Sequence, residues 1–83
     1  MVGAGQRHSV VIMARATYPY LAVADSLRGR IRAGELTGKL PTRLELAEEY
    51  QVSHMTVQRA IDILKSENVL YSVPGMGLFV AEE

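Results

Sequence analysis

A short segment beginning at His54 combines side chains that can recognise hydrogen-bonding edges and anionic oxygens. Gln58 carries an amide that both donates and accepts, which suits two-bond pairing with adenine. Thr56 can bond a base or touch a thymine methyl group, and Arg59 can pair with guanine or with a phosphate. Together with Met55, these residues favour contact with the base edges of duplex DNA, although an ordinary solvated helix face carries similar side chains.

A helix is needed to present this segment, and the apolar spacing predicts one. Ser53 suits the N-cap, so the helix begins at His54, and Asn68 suits the C-cap. Met55 and Arg59 then lie on the outer face, where a helix entering a major groove by its N-terminal end presents them. The inward face is a stripe of apolar residues at helical spacing, Val57, Ala60, Ile61 and Leu64.

A second, shorter helix is predicted just before it. Thr42 is a good N-cap, and Glu45 completes a capping box in which each side chain bonds the other residue's amide. Arg43, at the start of this helix, is either a solvated arginine or a phosphate contact. The free amides at the helix starts capped by Thr42 and Ser53 also suit phosphate oxygens. The buried face consists of Leu46, Ala47 and Tyr50.

The connection between these two helices is very short. Only Gln51 and Val52 separate Tyr50 from Ser53. Val52 and Val57 occupy the two positions of a hydrophobic staple, which fixes the angle at which the following helix departs. Two helices joined in this way are typical of a helix-turn-helix.

A further helix is predicted upstream, from about residue 20 to residue 33. Gly34 follows it at the position of a left-handed C-cap. We expect Arg28 to pair with Asp25, three residues away, and Arg30 to point outward as part of a general basic field. The apolar stripe of this helix is Leu21, Ala24, Leu27 and Ile31.

The chain after residue 68 is typical of β structure. Apolar runs at 69–73 and 78–80 flank turn residues and predict a hairpin with Gly75 and Met76 at its tip. So small a hairpin must pack against the helices to be stable. The predicted fold class is therefore mainly α with a small β-hairpin, a winged helix-turn-helix of three helices and a C-terminal two-stranded wing. We expect residues 1–17 to be a flexible tail and residues 18–81 to be the DNA-binding domain.

The composition argues against catalysis. The 83 residues include two histidines and no cysteine, which excludes disulfides and thiolate metal sites. No nucleophile, base and orienting group can be assembled, so we expect no enzyme, no catalytic residue, no metal and no cofactor. No apolar run approaches the roughly 20 residues of a membrane span, and we expect a cytoplasmic protein without membrane contact.

The formal net charge is zero, with nine basic and nine acidic side chains. Residues 1–44 carry seven basic groups against two acidic ones, and the remainder carries two against seven. Because a folded domain can gather its cations on one face, zero net charge does not exclude a DNA partner.

The chain from about residue 18 to residue 80 resembles the N-terminal DNA-binding domain of GntR-family bacterial transcription regulators. The resemblance implies a recognition helix in the major groove of a palindromic operator, with the wing tip near the minor groove. It implies base contacts from His54, Met55, Thr56 and Gln58, phosphate contacts from Ser53 and the start of the second helix, and minor-groove approach at Gly75. The residues that carry it are Leu40-Pro41-Thr42, Glu45-Leu46-Ala47, Val52-Ser53, Thr56-Val57, Ala60, Gly75, Gly77, Phe79 and Val80.

The chain departs from this family pattern at several interface positions. The family usually has arginine where His54 and Gln58 stand, often arginine in place of Leu44, and a basic residue in place of Met76. Fewer cations should lower non-specific affinity and flatten the salt dependence. The family also normally continues into an effector-binding, dimerising domain, and no small-molecule site is visible in these 83 residues.

The sequence thus favours a sequence-specific DNA-binding transcriptional regulator, acting as a repressor that occupies a promoter. Because one copy binds a half-site weakly, we expect two copies on a two-fold operator, as a homodimer on DNA. The alternative is a winged helix used for protein contact within a larger assembly. Met55 and Met76 would then be its exposed anchors.

Overall fold

Three helices precede a two-stranded hairpin in the computed structural model, which describes residues 18–81. Helix α1 spans Pro19–Arg32, α2 spans Arg43–Tyr50 and α3 spans His54–Ser66. Strands β1 (Leu70–Val73) and β2 (Gly77–Val80) pair antiparallel and form the wing. The predicted winged helix-turn-helix is confirmed, whereas the predicted tail at 1–17 lies outside the described residues.

The core lies between the three helices and one face of the wing. Helix α1 packs mainly on α3, and α2 also packs on α3. In the predicted stripe of α1, Ala24 and Leu27 are buried and the half-buried Ile31 packs against the core, but Leu21 does not belong to the core and Val23, which was not predicted, is buried. Each fully buried aliphatic side chain contributes roughly 1.5–3 kcal/mol. The buried residues are Val23, Ala24, Leu27, Leu40, Leu46, Ala47, Val57, Ala60, Ile61, Leu64, Leu70 and Leu78.

Left-handed residues close the ends of the helices. Gly34 has a φ of +81°, and its N–H bonds the carbonyl of Ile31 at 3.1 Å while the Glu35 N–H bonds that of Arg30 at 2.9 Å. This pair of bonds is a Schellman closure, as predicted for a glycine there. At the end of α3 the C-cap is Glu67, and Asn68, predicted as the cap itself, is the left-handed residue after it.

The loop between α1 and α2 joins the wing, which the sequence did not predict. The Leu40 N–H donates to the carbonyl of Leu78 at 2.8 Å, and the Val80 N–H donates to that of Gly38 at 2.8 Å. Lys39 therefore forms an isolated antiparallel backbone bridge with Phe79, on the edge of β2 that does not face β1. This pairing fixes the start of α2 beside the hairpin.

Candidate nucleic-acid interface

The leading end of α3, meaning the Ser53 cap and residues 54–56, projects from the molecule. Ser53 is extended, and its hydroxyl oxygen accepts the Thr56 N–H at 3.1 Å while its hydroxyl donates to the Thr56 Oγ1 at 3.0 Å. His54 is exposed, and Met55 is 74% exposed. The predicted cap is confirmed, and at this end of the helix Ser53, His54 and Met55 are exposed while Thr56 is half-buried.

The start of α2 carries the predicted capping box. The Thr42 Oγ1 accepts the Glu45 N–H at 3.1 Å, and the Glu45 carboxylate accepts the Thr42 N–H at 2.8 Å. The acidic side chain also complements the positive end of the helix dipole. Leu44, in the same turn, is 63% exposed. The sequence marked Leu44 only as a position where the family often has arginine, and its exposure agrees with a place on the surface of α2 opposite the buried Leu46.

The amide of Gln58 connects α2 to α3. The Arg43 Nε donates to the Gln58 Oε1, and the Gln58 Nε2 donates to the Asp62 carboxylate at 2.8 Å. Arg43 and Gln58 were both predicted to belong to the site, and the structure brings them into direct contact. Asp62 was not assigned to it, although its spacing of four residues from Gln58 on one helix made contact possible.

The side chain of Arg59 packs against a ring of α1. Its guanidinium lies 5.0 Å from the ring centroid of Tyr20 on α1, while the residue as a whole stays exposed. A guanidinium over a tyrosine ring at this distance is a cation–π contact. The structure therefore places the charge of Arg59 beside α1, away from the contact between Arg43 and Gln58.

The wing tip is a tight turn. The Met76 N–H bonds the carbonyl of Val73 at 2.9 Å, and Gly75 has a φ of +79°. Proline followed by a left-handed glycine is the pattern of a type II turn. Gly75 is exposed and Met76 is 59% exposed, so the predicted tip is confirmed as an open projection.

A cleft joins the wing tip to the start of α2. We call this the wing cleft; its volume is about 130 Å³. Lys39, missed by the sequence analysis, lies so close to Gly77 that a Cβ there would be 3.1 Å from the lysine Cε. No local pattern marks Lys39, because its position follows from pairing with Phe79, 40 residues away. The cleft is lined by Lys39, Leu40, Pro41, Thr42, Arg43, Met76, Gly77 and Leu78.

Two arginines of α1 are neutralised by acidic partners. The Arg28 guanidinium donates a hydrogen bond to Asp25 at 2.8 Å, as predicted. It also donates to both carboxylate oxygens of Glu67, at 3.0 and 2.9 Å. Burial alone would lower the pKa of Arg28, but these bonds outweigh burial and raise it. Arg28 therefore ties α1 to the end of α3.

Arg30 was predicted to point outward, and that prediction is wrong. It donates to the Tyr50 hydroxyl at 2.9 Å and pairs with Glu49 at 3.0 Å and Glu35 at 3.6 Å. The bond to Tyr50 and the two carboxylates raise the pKa of Arg30 against a smaller opposing effect of burial. Because these partners surround it, Arg30 adds little to an external basic field.

The cations without acidic partners therefore lie elsewhere. Within residues 18–81, five cations form no ion pair with a carboxylate: Arg32, Lys39, Arg43, Arg59 and Lys65. Lys39 and Arg43 line the wing cleft, Arg59 and Lys65 lie on α3, and Arg32 is the last residue of α1. In the same range no three histidine or acidic side chains converge to hold a metal ion, and no helix has the length and apolar character to cross a membrane. Zero net charge thus does not prevent Lys39 and Arg43 from placing positive charge at the wing cleft.

Comparison with known proteins places this arrangement among bacterial regulators. The chain is 37% identical over 65 residues to the HTH-type transcriptional repressor NagR of Bacillus subtilis, covering 76% of this chain and 27% of NagR. It is 39% identical over 66 residues to the mannosyl-D-glycerate transport/metabolism system repressor MngR of Escherichia coli, covering 77% of this chain and 28% of MngR. The chain therefore spans little more than a quarter of either relative.

A solved structure and a family model agree with these relatives. The crystal structure of AraR(DBD) in complex with operator ORR3 is similar with a TM-score of 0.71 and 39% identity, covering 75% of this chain and 77% of that chain. The family model described as bacterial regulatory proteins, gntR family, matches residues 19–80. Since that match covers well over half of the chain and includes all three helices and the wing, the protein belongs to the gntR family of bacterial regulatory proteins.

Proposed function

We propose that this chain binds duplex DNA sequence-specifically and represses transcription by occupying a promoter. The observation that carries the proposal is the exposed leading end of α3, together with an exposed wing tip and the cations Lys39, Arg43 and Arg59, which have no carboxylate partner. The leading end lies in the major groove and the wing tip approaches the minor groove. The repressor relatives and the operator complex of AraR(DBD) support this proposal.

Each part of the site has a distinct role in this proposal. The residues in the first two turns of α3 face base edges. They are His54, Met55, Thr56 and Gln58. Phosphates are contacted by two kinds of group. The free amides at the helix starts capped by Thr42 and Ser53 bind anionic oxygens, and so do the guanidinium groups of Arg43 and Arg59. Lys39 joins the phosphate contacts through its place in the wing cleft. Gly75 and Met76 approach the minor groove because the turn that holds them is exposed.

We propose that residues 18–81 form the DNA-binding domain and act as two copies on a palindromic operator. A single module of this kind buries about 600–1,000 Å² on DNA, which gives modest affinity. Two copies on adjacent half-sites bind far more tightly, because the second binding event is effectively intramolecular. In this proposal the protein works in the bacterial cytoplasm as a homodimer on DNA, and it is a binding protein with no catalytic role.

A fluorescence anisotropy titration tests the proposal. The probes are a duplex selected by the protein from a random pool and a scrambled duplex of equal length, each at about 50 mM and about 200 mM salt. We expect the selected duplex to bind at least about a thousandfold more tightly. Equal binding of both duplexes would contradict sequence recognition. It would favour the alternative in which the exposed Met55 and Met76 contact a protein partner.

A further inference from the structure

The amide of Gln58 lies between two charged side chains that fix its orientation. Arg43 donates to its oxygen, and Asp62 accepts from its nitrogen at 2.8 Å. A guanidinium can only donate hydrogen bonds and an ionised carboxylate can only accept them. Rotating the amide by half a turn would set its NH2 group against the guanidinium and its oxygen against the carboxylate. The two neighbours therefore select one orientation.

This arrangement leaves Gln58 with the groups that a base requires. An amide oxygen has two lone pairs and an amide nitrogen has two hydrogens. Arg43 and Asp62 each occupy one of these, so one acceptor and one donor remain on an incompletely buried residue. Adenine presents a donor at N6 and an acceptor at N7 in the major groove, which is the complementary pair.

We infer that Asp62 is a positioning residue for base recognition, holding the Gln58 amide in the orientation that reads adenine. This inference rests on the proposed function, because only a DNA-bound Gln58 has a base to read. Asp62 acts through Gln58 and contacts no base. Its negative charge is unfavourable near phosphates, so its contribution is to selectivity and not to general affinity.

Preorganisation is the physical reason for this effect. A free glutamine side chain samples many rotamers, and ordering it on binding costs free energy. In this protein the ordering is complete before DNA arrives, because Arg43 on α2 and Asp62 on α3 hold opposite ends of the amide. Without the carboxylate, the amide nitrogen loses its anchor and Arg43 alone opposes the reversed orientation, so the amide presents the pattern that matches adenine for a smaller share of the time.

Selection from a random duplex pool tests the inference with the whole 83-residue chain. The Gln58→Ala variant identifies the base position that Gln58 reads. It is the position at which the wild type prefers adenine and the variant does not. We expect the wild type to prefer adenine there by at least about fivefold, and Asp62→Ala to reduce that preference to within about twofold. Preferences at the other positions should remain.

Two further variants separate hydrogen bonding from charge. Asp62→Asn removes the same charge as Asp62→Ala but keeps an oxygen that accepts from the Gln58 Nε2, so we expect it to retain the adenine preference. Glu48→Ala removes an exposed acid of α2 that has no contact with Gln58, and it should leave every base preference unchanged. Because alanine favours an exposed helix position, thermal unfolding should show that Asp62→Ala is folded.

The outcomes distinguish this inference from the function on which it rests. If the wild type enriches no sequence, the proposed function itself fails. If the wild type enriches a site, the inference alone is overturned by any of three results. These are an unchanged adenine preference in Asp62→Ala, an equal loss in Asp62→Asn, and a Gln58→Ala variant with the same base preferences as the wild type.

Discussion

The guanidinium of Arg59 on α3 lies 5.0 Å from the ring centroid of Tyr20 on α1. The contact joins the outer face of α3 to the helix that packs most extensively against it. Arg59 therefore has a structural role in addition to any contact with DNA. Its position beside α1 also explains why it supplies positive charge at a different place from Arg43.

Replacing the Tyr20 ring should weaken this contact measurably. We expect Tyr20→Leu to lower the free energy of unfolding, with about 0.5–1 kcal/mol due to the cation–π contact. Tyr20→Phe keeps the ring and should stay close to wild type. A double-mutant cycle with Arg59→Gln in urea isolates the pairwise energy. A coupling energy near zero would show that the contact does not stabilise the fold.

The capping box at α2 gives a second test of stability. Thr42→Ala removes the oxygen that accepts the Glu45 N–H, so we expect a loss of about 1 kcal/mol in the free energy of unfolding. Thr42→Ser retains that oxygen and should be nearly as stable as the wild type. Urea denaturation followed by circular dichroism measures both variants. Equal stability of the alanine and serine variants would be inconsistent with the box.

The two faces of α3 should respond oppositely to truncation. Ile61→Ala creates a cavity in the core and should cost about 2–5 kcal/mol, a large part of the stability of a small domain. Met55→Ala, at a residue that is 74% exposed, should change stability by less than about 0.5 kcal/mol while weakening binding to the selected duplex. A Met55→Ala variant as unstable as Ile61→Ala would mean that α3 is rotated from the orientation described above.

The proposed contact of Arg43 with a phosphate is tested by salt dependence. Each phosphate contact contributes about one unit to the slope of log K against log salt concentration, so Arg43→Gln should reduce that slope by about one. Arg32→Gln is a matched control, because Arg32 is exposed at the far end of α1 and lines a different cleft with Glu67 and Ala81. Equal slopes for the wild type and Arg43→Gln would remove Arg43 from the proposed phosphate contacts.

Local chemistry explains which parts of the fold were predictable. The caps at Thr42 and Ser53 depend on residues within three positions of each other, so their identity and spacing suffice. The wing turn is equally local, since Pro74 and Gly75 adopt the conformation that their types favour. The confirmed features are mainly those that sequence neighbours determine.

The features that were missed depend on residues far apart in the chain. Arg30 was expected to face solvent, but Tyr50 and Glu49, about 20 residues later, surround its guanidinium. Lys39 lies in the wing cleft because the loop before α2 pairs with Phe79. Helical periodicity carries no information about such partners, because they meet only after the helices and the wing have packed.

Backbone amide NMR of the protein, titrated with its selected duplex, shows directly whether α3, the start of α2 and the wing tip together form the DNA-binding surface. We expect the largest chemical-shift changes at residues 42–44, 53–59 and 75–77. A scrambled duplex should produce smaller changes at low salt, and these should vanish at higher salt. Changes centred instead on the cleft lined by Arg28, Arg32 and Ala81, with residues 53–59 unaffected, would contradict the proposed surface.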